Sequence, residues 1–150
     1  MNYDKIQVDI LKAAYSHKMT LEGYMVEDDN VIVLDNKYAV IIPKDSWYLD
    51  TNKVFNNRPP MRLDLKKFTD NADQWLKDTG MSKRTPDGKG TLHIFVNEQD
   101  EKIYIDERLL KIFQNDKYDK LSYRGSTYNA PVILYDDMVN CLGLILPVVI

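Results

Sequence analysis

Few residues in this chain are able to do acid–base, nucleophilic or metal chemistry. Two histidines, His17 and His93, and one cysteine, Cys141, are its whole imidazole and thiol content. A Ser-His-Asp or Cys-His triad needs an imidazole beside a nucleophile and an orienting carboxylate. His17 falls at the end of a helical pattern, where a cation meets the helix dipole favourably. His93 alternates with Leu92 and Ile94 in a strand pattern and reads as a surface or hydrogen-bonded side chain. Cys141, between Asn140 and Leu142, reads as a buried, inert thiol. A single cysteine excludes an internal disulfide and a multi-cysteine zinc site. The carboxylate pairs Asp28-Asp29-Asn30 and Asp136-Asp137 occupy hairpin turns, so solvated turn residues are expected rather than a cation site. Thr85-Pro86-Asp87-Gly88-Lys89-Gly90 is superficially similar to a phosphate loop, but lacks the P-loop spacing and has no helix after it. Trp47, Tyr48, Phe55 and Trp75 could form an aromatic platform for single strands or a partner; without interleaved cations, core or interface positions are expected. No acid–base pair survives this weighing, and the chain is read as non-enzymatic, with neither cofactor nor metal.

The elements that must position these residues follow from periodicity. Ile6, Ile10, Leu11 and Ala14 predict a helix over 4–18. Leu21–Val26, Val31–Leu34 and Tyr38–Ile42 are apolar runs split by polar turns, which predicts an antiparallel meander closed by Pro43. Asp45 or Ser46 could cap a single helical turn. Phe68, Ala72, Trp75 and Leu76 predict a helix over 65–78 that stops at Gly80, and 82–90 is the most flexible-looking stretch. Leu92–Val96 and Ile103–Ile105 read as a hairpin, and Asp106 as the N-cap of a helix carrying Leu109, Leu110, Ile112 and Phe113. Strands are expected at 121–124, 132–135 and 142–150, the last broken at Pro147. The class is α+β, mostly antiparallel sheet with about three helices.

Composition sets the bounds. One hundred and fifty residues suit one domain spanning 1–150, able to bury a core without staples. The net charge of −3 makes the overall field mildly unfavourable to nucleic acid. The apolar run Leu142–Ile150 is too short to cross a bilayer, and Met1-Asn2-Tyr3-Asp4-Lys5 lacks a signal-peptide layout, so a cytoplasmic protein is expected. Richness in Asn, Lys, Asp and Tyr hints at an AT-rich bacterial, phage or plasmid genome.

Two stretches, about 4–43 and 104–147, share the order helix, strand, strand, strand, proline, with the irregular region 44–100 between them. Leu11 and Leu110 are 99 apart, Leu21 and Leu121 100, Val31 and Val132 101, and Pro43 and Pro147 104. The slow drift suits small loop insertions in a duplicated helix-plus-meander unit.

This duplicated unit resembles a domain of the DNA sliding clamps, the processivity factors of replication. The resemblance is carried mostly by 104–150: Leu109-Leu110-Lys111, Leu121-Ser122-Tyr123, Pro131-Val132-Ile133-Leu134 and Leu144-Ile145-Leu146-Pro147-Val148. It implies helices facing a central hole, hence Lys5, Lys12, Lys18, Arg108 and Lys111 as DNA-facing residues. It also implies that partner peptides dock at Leu146, Pro147 and Val148. Clamp chains carry two or three domains and this one has room for one, so a ring would need six subunits. The family usually places Arg after the final Pro-Val, where this chain reads Val149-Ile150.

Two functions follow from this resemblance. One is a replication-associated DNA-binding or processivity protein of a phage or mobile element, self-assembled into an oligomer. The other is a protein-binding inhibitor or adaptor acting on host replication or defence machinery without touching DNA. Segment 4–18 nets only +1 and 106–117 nets zero. Tracking phosphates takes several uncompensated cations, so this charge balance favours the second mechanism, while the fold resemblance favours the first.

Overall fold

The computed structural model describes residues 1–16, 21–114 and 120–150. The chain divides into two compact units, Asn2–Leu63 and Asp64–Ile150. Both are α+β with antiparallel strand pairing.

In the first unit, helix α1 (Tyr3–Tyr15) starts where the Asn2 side chain accepts from the Lys5 N–H at 3.0 Å. That satisfies a backbone donor the first helical turn cannot. Ile6, Gln7 and Ile10 form its buried stripe. His17 and Lys18 lie outside the described residues. Strands β1 (Leu21–Glu27), β2 (Asn30–Asp35) and β3 (Tyr38–Pro43) form the expected meander. Its register places Val33 between Tyr24 and Val40. The β1–β2 turn works because Asp28 adopts φ 52°, a left-handed conformation that short polar side chains tolerate. A 3-10 turn (Lys44–Ser46) follows without a side-chain cap, so neither Asp45 nor Ser46 plays that part. Helix α2 (Thr51–Val54), capped by Asp50, delivers Phe55 into the core, where its ring stacks on Tyr24 at 4.8 Å.

In the second unit, helix α3 (Leu65–Asn71) is capped by Asp64. It stops well short of the predicted 78, because Gln74–Trp75 form strand β4 and Lys77–Arg84 form strand β5. Spacing allowed a longer helix; pairing of Trp75 with Arg124 on a distant strand decided otherwise. Gly80, at φ 72°, lies within the irregularity of β5 between Asp78 and Ser82 rather than ending a helix. The stretch expected to be flexible thus begins as strand, through Arg84, and Thr85–Gly90 is a tight turn. Strands β6 (Thr91–Val96) and β7 (Lys102–Asp106) complete a sheet ordered β5-β6-β7. Helix α4 (Glu107–Phe113) packs against β6 and β7 through its buried Leu110 and Phe113. Asp106 caps it by accepting from the Arg108 N–H at 2.9 Å, as expected. Strands β8 (Ser122–Gly125), β9 (Val132–Tyr135) and β10 (Cys141–Ile145) form a second meander, with β4 on the far side of β8. The chain crosses from β4 to β5 at buried Leu76, whose N–H donates to the Tyr123 carbonyl at 2.8 Å. Phe95 on β6 meets Tyr123 on β8 with centroids 4.6 Å apart, so the two layers share one core. The order of one helix and three antiparallel strands therefore occurs in both units.

Candidate functional site

The C-terminal segment leaves the sheet at Ile145. Pro147 has no N–H to extend a ladder, and the strand expected over 142–150 ends at β10. Buried Leu142 and Ile145 anchor β10. Beyond them Leu146 is 39% exposed, Val149 60% and Ile150 54%, with Pro147 and Val148 half-buried. The Val148 N–H donates to the Tyr104 carbonyl on β7 at 2.8 Å, an isolated bridge. Leu146, Pro147 and Val148 thus belong to a short, positioned, apolar surface segment.

The DNA-facing candidates do not make a free cationic stripe. Lys5 and Lys12 are exposed on α1 near exposed Asp4 and Asp9; Lys18 lies outside the described residues. The Arg108 guanidinium donates to both oxygens of Asp106, at 3.0 and 3.2 Å from Nε and 2.7 Å from Nη2. This bonding, with the charge of Asp106, raises the Arg108 pKa. Lys111 sits 3.9 Å from Glu107, which lies 3.7 Å from His93 Nε2. His93 therefore lies beside the Glu107–Lys111 pair on the surface at the start of α4.

The other singled-out groups are spent on turns. The Asp87 carboxylate accepts from Thr85 Oγ1 and from the Lys89 N–H, and the Gly90 N–H turns onto Thr85 Oγ1 at 3.0 Å. The N–H groups of Thr85, Gly88, Lys89 and Gly90 face the loop's own acceptors rather than converging on a phosphate. The Thr85 bond, foremost, holds Asp87 below the usual carboxylate range. Asp136 closes the β9–β10 turn by accepting from the Met138 and Asn140 N–H groups at 2.9 and 2.8 Å. Partial burial pushes its pKa up, but these bonds outweigh it and the net shift is downward. Asp28 and Asp29 sit in the β1–β2 turn, where the Asp29 carbonyl accepts from the Lys44 N–H at 2.7 Å. Cys141 is half-buried, and burial pushes its thiol pKa up.

The four aromatics part company. Phe55 is core, Trp47 half-buried, Tyr48 exposed, and Trp75 49% exposed in the other unit. Sequence reasoning missed what surrounds Trp75. Tyr135 meets it edge-on at 5.6 Å and the Arg124 guanidinium lies 5.1 Å over its ring, with Nε buried and without a hydrogen-bond partner among the described residues. Beside it a cavity of about 490 Å³ is lined by residues including Trp75, Asp78 and Tyr123. Reading 74–76 as strand, with Trp75 outward and Leu76 inward, was the signal that could have found it. Tryptophan, tyrosine and arginine are the side chains that anchor protein interfaces.

The chain matches no family model, no curated protein and no solved structure. Among the described residues, no helix is long and apolar enough to cross a membrane.

Proposed function

We propose that this chain is a non-enzymatic protein-binding domain, an inhibitor or adaptor of the kind a phage directs at host replication or defence machinery in the bacterial cytoplasm. The observation that carries this reading is the segment 146–150, apolar, exposed and held in place at Val148. The state of the helix cations points the same way. Arg108 and Lys111 are engaged by Asp106 and Glu107, so a phosphate would have to compete with bonds already made. A clamp-like processivity role is the second reading, and the helix-plus-meander order common to both units favours it. Light scattering at low and high salt, with and without duplex DNA, separates the two. The protein-binding reading expects a mass of one or two chains that ignores DNA. A mass near six chains with salt-sensitive DNA retention overturns it and supports the clamp-like role.

A further inference from the structure

The arginines of this protein are not used alike. Arg58 donates to the Phe55 and Glu22 carbonyls at 3.0 and 2.9 Å, Arg84 to the Gly88 carbonyl at 3.2 Å, and Arg108 to Asp106 at 2.7 Å. Arg62 is exposed to solvent. Arg124 is half-buried, yet among the described residues its guanidinium meets neither a hydrogen-bond acceptor nor a carboxylate; what it meets is the Trp75 ring. A guanidinium stays charged at any pH a protein meets, and a partly desolvated charge without a counter-ion costs stability. Strand alternation explains its placement. Trp75 pairs with Arg124 and Ser122 with Tyr135, so these four share one face of the sheet, while Tyr123 points to the other, against Phe95. Nε is the nitrogen shut off from solvent, which leaves Nη1 and Nη2 as the end a ligand can reach.

We propose that Arg124, flanked by Trp75 and Tyr135, is a receptor site for the carboxylate of an acidic segment on a partner protein. This rests on the protein-binding reading and adds the chemistry of the partner, at a place other than segment 146–150. Two parallel donors on one planar fork match the two oxygens of one carboxylate. A phosphate dianion calls for more than the single cation these four residues supply. Stacking on Trp75 holds the fork in place beforehand, so little freedom is lost on binding, and the apolar surroundings strengthen its pull on an anion. The site is a sheet surface, so a free small acid would stay mostly in water, whereas a peptide segment also covers the half-exposed Trp75. The neighbouring cavity is not the seat, since Asp78 lines it and Arg124 does not.

The test offers the full chain an array of short peptides, random apart from a central Glu, and a matched array with a central Gln. Affinities of the best binders are then measured by titration calorimetry. Binders are expected from the Glu array, and Arg124→Gln should weaken them by about tenfold or more. Arg124→Met should keep or raise the urea midpoint, because it removes an unpaired cation. A sharp fall in that midpoint, or failure of both variants to fold, overturns the proposal by making the arginine structural. Acetate or inorganic phosphate binding as tightly as the peptides overturns it in favour of a small-anion site. Peptides bound equally well by Arg124→Gln overturn it and leave the protein-binding reading standing. No binder in either array overturns it too, and the protein-binding reading is then decided by its own measurement of mass with and without DNA.

Discussion

Both units contain a helix followed in sequence by three antiparallel strands, but α1 and α4 are held by different chemistry. α1 is tied by a buried neutral amide. Gln7, fully buried, donates from Nε2 to the Ser46 carbonyl at 2.7 Å and accepts at Oε1 from the Tyr48 N–H at 2.9 Å. α4 inserts Leu110 and Phe113 into the core and fixes its first turn with the Asp106–Arg108 pair at the rim. They also rest on different partners, for α4 lies on β6 and β7 rather than on the meander that follows it. The same element order therefore does not imply the same packing. It teaches that polar chemistry at each helix went into anchoring, in α1 through a buried neutral amide and in α4 through a buried carboxylate whose arginine partner is exposed, a pairing that also absorbs a cation a phosphate would need.

The sharpest break in that comparison is Gln7→Leu. It leaves the Ser46 carbonyl and the Tyr48 N–H without their partner in a partly buried setting. Each unsatisfied group costs about 1–3 kcal/mol, so a loss of about 2–4 kcal/mol is expected in urea unfolding. Asp106→Ala should cost less, about 1–2 kcal/mol, as loss of an N-cap and of a half-exposed ion pair. If the Asp106 variant proves the more damaging, the distinction between deep and rim anchoring fails. The same variant releases Arg108, so any gain in salt-sensitive DNA binding would show that Asp106 had been masking a phosphate contact.

Local rules made much of this legible. The meander over 21–43 follows from β-branched runs between polar turns, and Asp106 as a cap follows from its place before Leu109 and Leu110. Sequence was blind where a distant strand decided the outcome. Phe68, Ala72, Trp75 and Leu76 fit a helical stripe, yet Trp75 pairs with Arg124 and Leu76 bonds Tyr123, contacts that no window around 65–78 contains. The same holds for the site. The apolar character of Leu146-Pro147-Val148 was readable, but its seat on Tyr104 was not, since it depends on where β7 ends up. Charge arithmetic anticipated the compensated α4 cations because their partners are two and four residues away.

The smallest expected effect compares one tyrosine from each unit. Burial, which disfavours the phenolate, pushes both Tyr38 and Tyr123 up to about 12, with Asp35 and Asp9 adding to the first and Asp78 to the second. An unfolded tyrosine ionises near 10. Below that pH both states keep the proton, and the stability linked to these groups is fully present. Between about 10 and 12 the unfolded chain ionises and the folded one does not, so stability falls as pH rises. Denaturant midpoints should therefore drop over that window, and tyrosinate absorbance should show late-titrating rings, Tyr38 and Tyr123 among them. Asp78→Asn should bring only the Tyr123 titration down, and Asp35→Asn only that of Tyr38. Either change moving both rings would mean that the carboxylates act beyond their own unit. Two rings titrating near 10 with no pH-dependent loss would mean that neither phenol is as dry as its burial implies.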